Sequence, residues 1–204
     1  MVATASAGLR LPAREIHPAR IGPNAILQLV PVLEETGGAA LRDRLLKQAG
    51  IATLPTGEGM IPQEPAARLH QALREELGPR AADLATEAGS RTADYILAHR
   101  IPPTAQSLLR MMPRPLAAHA LARAIGKHAW TFAGSGAFRV RDRWHFSLAH
   151  NPIVAGERSD APLCHWHAAV FARLYQRLVD PNVVCRETTC CAMGSPACRF
   201  ELQA

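Results

Sequence analysis

The chain has 204 residues, 48% of them hydrophobic and 20% charged, which is enough length and apolar content to bury a full core. Its net charge of +6 comes from 23 Lys and Arg scattered against 17 Asp and Glu, with no zinc-finger spacing, aromatic RNA-binding motif or recognition helix, so nucleic-acid binding is the weaker expectation. The longest apolar stretches, such as Ala25 to Leu33, are broken by Gln28 and Pro31 and fall short of the roughly 20 apolar residues that cross a bilayer.

The N-terminus lacks the basic segment, apolar run and small-residue cleavage site of a secretory signal, so the chain is expected in the cytoplasm. Five cysteines there stay reduced, and an odd number in a reducing compartment points to metal binding or catalysis rather than to a disulfide framework.

The first two thirds read as helices. Pro23 to Glu35 places Ile26, Leu29, Val30 and Leu33 at helical spacing, bends at Pro31 and ends at Gly37-Gly38. Ala39 to Gln48 and Glu64 to Leu77 follow, separated by a Pro- and Gly-rich loop from Thr53 to Pro62 and stopped by Gly78-Pro79. Arg80 to His99 and Thr104 to His128 are two more helices, the second interrupted at Met112-Pro113-Arg114-Pro115.

After Trp130 the period changes. Ala137 to Arg141 and Arg143 to His150 alternate as a pair of antiparallel strands turning at Asp142, with Trp144, Phe146 and Leu148 on one face. Asp160 before Pro162 is an N-cap signal for a helix running to Val179, and Asp180-Pro181 stops it. Asn182 to Thr188 and Ala197 to Leu202 form a last pair of strands around a turn with Gly194, Ser195 and Pro196. The expected class is α+β: N-terminal helices at 1–79, then a domain at 80–204 in which a four-stranded antiparallel sheet carries an inserted helix.

Four of the five cysteines lie between Val183 and Leu202, and with the helix before it this segment offers metal ligands from three elements. Cys164 opens the helix, Glu187 and Cys190 end a strand, and Cys198 returns on the next. Three thiolates and one carboxylate would close a tetrahedral shell around zinc and leave no open position. Spacing alone leaves a second reading, in which Cys164, Cys185 and Cys198 are small buried hydrophobes. It also leaves Cys191 competing with Cys190, and His165 or His167 as substitutes.

The pattern Arg186-Glu187-x-x-Cys190-x-x-x-Gly194-x-x-x-Cys198-Arg199-Phe200-Glu201 resembles the 4-vinyl reductase domain, whose fold is related to that of the small subunits of the TRAPP vesicle-trafficking complex. The likeness is most specific after Cys164, covers roughly Arg80 to Leu202, and extends to Ile21-Gly22-Pro23-Asn24-Ala25 and Gly126 to Asn151 in bacteriochlorophyll-pathway members. The resemblance implies a structural Zn²⁺ on Cys164, Glu187, Cys190 and Cys198, a small hydrophobic ligand between helices and sheet, and a homodimer.

The family name implies reduction of the 8-vinyl (formerly 4-vinyl) group of a chlorophyllide precursor, which would make the chain itself a divinyl (proto)chlorophyllide reductase. Hydride transfer needs a nicotinamide, flavin or iron–sulfur centre, and the chain shows no Gly-x-Gly-x-x-Gly loop between strand and helix. The preferred expectation is therefore a protein that binds a Mg-tetrapyrrole of chlorophyllide or protochlorophyllide type, assisting that reduction or delivering the intermediate to other pathway enzymes. Such a disc wants apolar surface, an axial ligand and a cation for its carboxylate. Met111, Met112, Trp130 and Trp144 are the candidate apolar groups, His119, His128 and His145 the candidate axial or hydrogen-bonding groups, and Arg110, Arg114 and Arg123 the candidate cations.

Overall fold

The computed structural model describes residues 19–204; the first 18 residues of the helical region expected at 1–79 lie outside the described residues. A two-residue strand β1 (Arg20–Ile21) leads into helices α1 (Asn24–Leu27) and α2 (Leu29–Gln48). Helix geometry breaks within α2 at Gly37 and Gly38, the second with φ 68°, where the two glycines were expected to end a helix. Strand β2 (Ile61–Pro62) pairs antiparallel with β1 inside a stretch that reads from sequence as loop, and α3 (Gln63–Leu77) and α4 (Ala81–His99) follow. Gly78, at φ 53°, makes the break between these two helices.

Helices α5 (Pro103–Met111) and α6 (Arg114–Lys127) are split at Met112-Pro113, since Pro113 forbids helical geometry at the residue before it and Met112 is extended. Strands β3 (Ala137–Val140) and β4 (His145–Ala149), helix α7 (His165–Leu178), and strands β5 (Val184–Thr189) and β6 (Ala197–Gln203) complete the chain. The sheet is antiparallel in the order β3-β4-β6-β5, so the two hairpins meet through β4 and β6, with Leu148 opposite Cys198 and Phe146 opposite Phe200. The expected α+β class and four-stranded sheet are both present.

One side of α7 faces α4 and the other faces the sheet. Against α4 the approach is close because Gly89 has no side chain: a Cβ there would stand 2.7 Å from Ala169 Cβ and collide with the Trp166 carbonyl oxygen. Trp166 Nε1 donates to Thr92 Oγ1 at 3.1 Å and Arg173 grips Asp94 through both carboxylate oxygens at 2.9 and 3.0 Å, which sets the register of the two helices. Against the sheet, Phe171 stacks edge-on with Phe146 and Phe200, and Phe132 and Phe138 close the cluster. The core is continuous from Ile21 and Leu29 through Leu73 and Leu84 to Phe171 and Leu202.

One local expectation fails. Helix α7 begins at His165 with Cys164 as its N-cap position, and Asp160 is exposed and caps nothing. Ser159 N is bonded to Ala192 O at 3.0 Å and Cys164 N to Glu187 Oε2 at 2.7 Å, so the segment before the helix is held against the β5–β6 hairpin instead of winding into a first turn.

Candidate metal centre

The cysteines are gathered by three local devices. Cys164 stands at the N-terminus of α7, where a positive helix end faces the cluster. Glu187 and Cys190 are three positions apart and would face opposite sides of a regular strand, but the β5–β6 register slips between Glu187 and Thr189, and this irregularity turns both toward the same point. A short turn from Cys191 to Met193, closed by Gly194 at φ 80°, then returns the chain so that Cys198, Phe200 and Leu202 point inward from β6.

The ligand atoms of Cys164, Glu187, Cys190 and Cys198 all lie within 4.8 Å of one another. The three sulfurs are separated by 3.3 Å (Cys164 to Cys198), 3.8 Å (Cys190 to Cys198) and 3.9 Å (Cys164 to Cys190). Three thiolates on a tetrahedral zinc with bonds of about 2.3 Å stand about 3.8 Å apart, so the triangle already has the dimensions of a metal shell. All three cysteines are fully buried, and none is in a disulfide. Glu187 supplies the test of fit: Oε2 accepts from Cys164 N, while Oε1 is buried with no partner among the described residues. A dication at the centre of the triangle would satisfy it.

Protonation behaviour points the same way. Burial pushes the Glu187 carboxyl up to about 7 and raises the Cys164 thiol well above its usual range, while hydrogen bonds from Cys164 and Cys198 pull Cys190 far down. Without a cation these four groups cannot all carry charge in so small a space. A bound divalent ion reverses that balance and holds every thiol ionised.

Asn151 is a fully buried residue that spacing arguments overlook. Its Nδ2 donates to Cys164 Sγ at 3.0 Å and Cys198 Sγ at 3.6 Å, and its Oδ1 accepts from Ile153 N at 3.1 Å. Cys191 N adds a donor to Cys198 Sγ at 3.4 Å. Such donors orient thiolates and offset their charge. The Asn-Pro dipeptide marks a turn in the sequence, but nothing local to it reveals two sulfurs 13 and 47 residues away.

Cys185 and Cys191 are half-buried and outside the cluster. His165 and His167 are outside it as well. His167 is buried among Phe132, Phe171 and Phe200 with neither ring nitrogen bonded among the described residues, and burial lowers it to about 4, so it is neutral.

The candidate ligand-binding residues divide between the two ends of α6. At one end Met111 is 83% exposed, Met112 is half-buried, and Arg114 stacks over Trp144, whose ring also rests on Tyr175; beside them His145 is exposed and paired with Asp142 at 2.9 Å. At the other, about 20 Å along the helix axis, are exposed His128 and Trp130, with exposed His119 between the two ends. Of the candidate cations, Arg110 donates to Arg177 O, Arg114 also pairs with Asp180, and Arg123 is exposed. Two surface cavities, of about 670 Å³ beside Asn151 and Cys191 and about 590 Å³ beside Tyr95 and Arg100, are lined by other residues.

Comparison with known proteins agrees with the site. The 4-vinyl reductase domain matches residues 144–204, the segment that contains all four candidate ligands. The bacteriochlorophyll synthase 23 kDa chain of Cereibacter sphaeroides is 57% identical over 185 residues, covering 90% of each chain, and that of Rhodobacter capsulatus is 45% identical over 94% of this chain and 90% of its own. Among solved structures, an Fe(II) unliganded H-NOX protein from K. algicida superposes with a TM-score of 0.55 at 11% identity, covering 90% of this chain and 96% of that one. A structure reported as probing heme distortion in the H-NOX family superposes at 0.52 and 10% identity over 89% and 93%. At these identities the likeness is one of fold. By its identity to the two full-length relatives, the chain belongs to the family of the bacteriochlorophyll synthase 23 kDa chain (BchJ) and carries that family's 4-vinyl reductase domain.

Proposed function

We propose that this protein acts in bacteriochlorophyll biosynthesis as a zinc-stabilised tetrapyrrole-binding protein, assisting 8-vinyl reduction or delivering a Mg-tetrapyrrole intermediate, without redox chemistry of its own. The relatives at 57% and 45% identity, both named as a bacteriochlorophyll synthase chain, carry the pathway assignment. The metal reading is supported by the sulfur triangle and the unpartnered Glu187 oxygen. Three thiolates and a carboxylate make a closed shell, so the zinc would tie α7 to the β5–β6 hairpin and would not offer a reacting position.

Tetrapyrrole binding is supported by the fold it shares with proteins described as holding heme, and by the methionine, tryptophan and histidine side chains that α6 and its flanks leave exposed. Met111, Met112, His119, His128, Trp130, Trp144 and His145 are the candidates for the pigment contact, with the three histidines as candidate axial groups. Pairing into a homodimer belongs to the same proposal and is checked by sedimentation.

The test is an absorbance titration of the purified chain with Mg- and Zn-porphyrins, repeated for H119A, H128A and H145A, alongside turnover of divinyl chlorophyllide with reductant. Saturable binding weakened by one histidine variant, without turnover, is expected. Turnover by the chain alone would show it to be the reductase, and absence of any porphyrin binding would end the carrier reading.

A further inference from the structure

Residues 95–141 contain seven Arg and Lys and not one Asp or Glu, although the whole chain has 17 acidic residues. The same stretch holds Leu108, Met111, Leu116 and Trp130, exposed at 61, 83, 56 and 60%, which are four of the seven large apolar side chains exposed among the described residues. Helix α5 has no buried residue; it is held on by Gln106 Nε2 donating to Leu97 O and Ile101 O, and by Arg110 donating to Arg177 O. Its Leu108 and Met111 are three positions apart and share a face. Helix α6 buries Ala117, Ala118, Leu121, Ala122 and Ile125, which leaves Leu116, His119, Arg123 and Lys127 along its outer side. The acidic groups nearest this surface, Asp180 and Asp142, are paired with Arg114 and His145.

We propose that the α5–α6 hairpin docks the protein onto an anionic lipid bilayer, with Leu108, Met111 and Leu116 entering the headgroup boundary and Arg123 and Lys127 meeting lipid phosphates. Apolar side chains beside cations on one helical surface are the features that bind such an interface. No described helix is long and apolar enough to cross a membrane, so the contact is at the surface. A second copy of this chain is the poorer occupant, because a face that carries only cations would meet itself with like charges. Nucleic acid would meet the cations but leave Leu108, Met111 and Leu116 without an apolar phase. The inference rests on neither the metal nor the pigment.

Flotation of the pigment-free full chain with vesicles of phosphatidylcholine, and of phosphatidylcholine mixed with phosphatidylglycerol, tests it. Binding is expected only to the anionic vesicles and to weaken as salt is raised. The variant L108Q/M111Q/L116Q, whose net charge is unchanged, and the variant R123E/K127E are each expected to lose at least about tenfold in partitioning. All five side chains are exposed, and circular dichroism confirms that each variant is folded. The proposal is overturned if both vesicle types bind alike, if the apolar variant binds anionic vesicles as the parent does, if that variant abolishes a dimer of the parent, or if an oligonucleotide binds and vesicles do not.

Discussion

Replacing Cys198 with serine tests the metal centre at the sulfur on which most of it converges. Cys198 Sγ is 3.3 Å from Cys164 and 3.8 Å from Cys190, and it accepts from Asn151 and from Cys191 N. A serine hydroxyl has a shorter reach and does not ionise near neutral pH, so it restores neither the ligand nor the charge. Structural zinc contributes an apparent 10–16 kcal/mol or so in small folded sites, roughly 3 kcal/mol for each of four ligands, and losing one lowers affinity by about 10²-fold. In a chain of this length about 3 kcal/mol corresponds to a fall in Tm of about 6–12 °C. The assay is metal analysis of the purified protein together with thermal unfolding under reducing conditions, with and without a chelator. The parent is expected to hold one zinc and to lose stability on chelation. C198S is expected to be metal-poor, less stable and indifferent to the chelator, while C185S and C191S, which change cysteines outside the cluster, keep the metal. The reasoning is refuted if C198S retains a full complement of metal with the parent's chelator sensitivity, or if the parent's Tm does not respond to metal removal.

Three other expectations follow from single residues. Glu187→Gln should weaken metal binding by about 10²-fold yet stabilise the metal-free chain above neutral pH, since burial raises this carboxyl to about 7 from its ordinary value near 4.5. The unfolded chain releases that proton first, so metal-free parent loses stability as pH rises from about 4.5 to 7; urea unfolding at pH 5 and pH 8 that shows no difference between parent and E187Q would refute it. His70 is fully buried with Nε2 3.0 Å from Ala25 O, and burial depresses it to about 3, so the unfolded chain takes up a proton first as pH falls below 6.5. Stability should then fall by about 1.4 kcal/mol per pH unit from this group, and H70Q should remove that slope in urea titrations between pH 7 and pH 5. Gly89→Ala should destabilise by about 1–3 kcal/mol despite the gain of up to about 1 kcal/mol in helix propensity, because the new Cβ meets Trp166 O and Ala169 Cβ across the α4–α7 contact. An unchanged urea midpoint would show that the two helices can separate without cost.

Much of this protein is written in local pattern. Hydrophobic period marked the helices, Gly37-Gly38, Gly78-Pro79 and Met112-Pro113 marked their breaks, and alternation around Phe146 and Phe200 marked the strands, because each signal acts within a few residues of itself. The four candidate metal ligands were legible for a different reason: the Glu187, Cys190 and Cys198 spacing lies on one hairpin and matches a known family. The β1–β2 pair was not legible, since its two-residue strands stabilise each other across 40 residues and carry no period of their own. Nor was the start of α7, where Asp160 offered a cap but the hairpin's Glu187 and Ala192 had already taken the backbone donors of Cys164 and Ser159. Asn151, with its amide between two sulfurs, and the separation of Met111 and Trp144 from His128 and Trp130 along α6 were decided only by tertiary structure. Local propensity and periodicity are read over a turn or two of chain, whereas a donor's distance to a sulfur, or the gap between two exposed side chains, is set by packing among elements far apart in sequence.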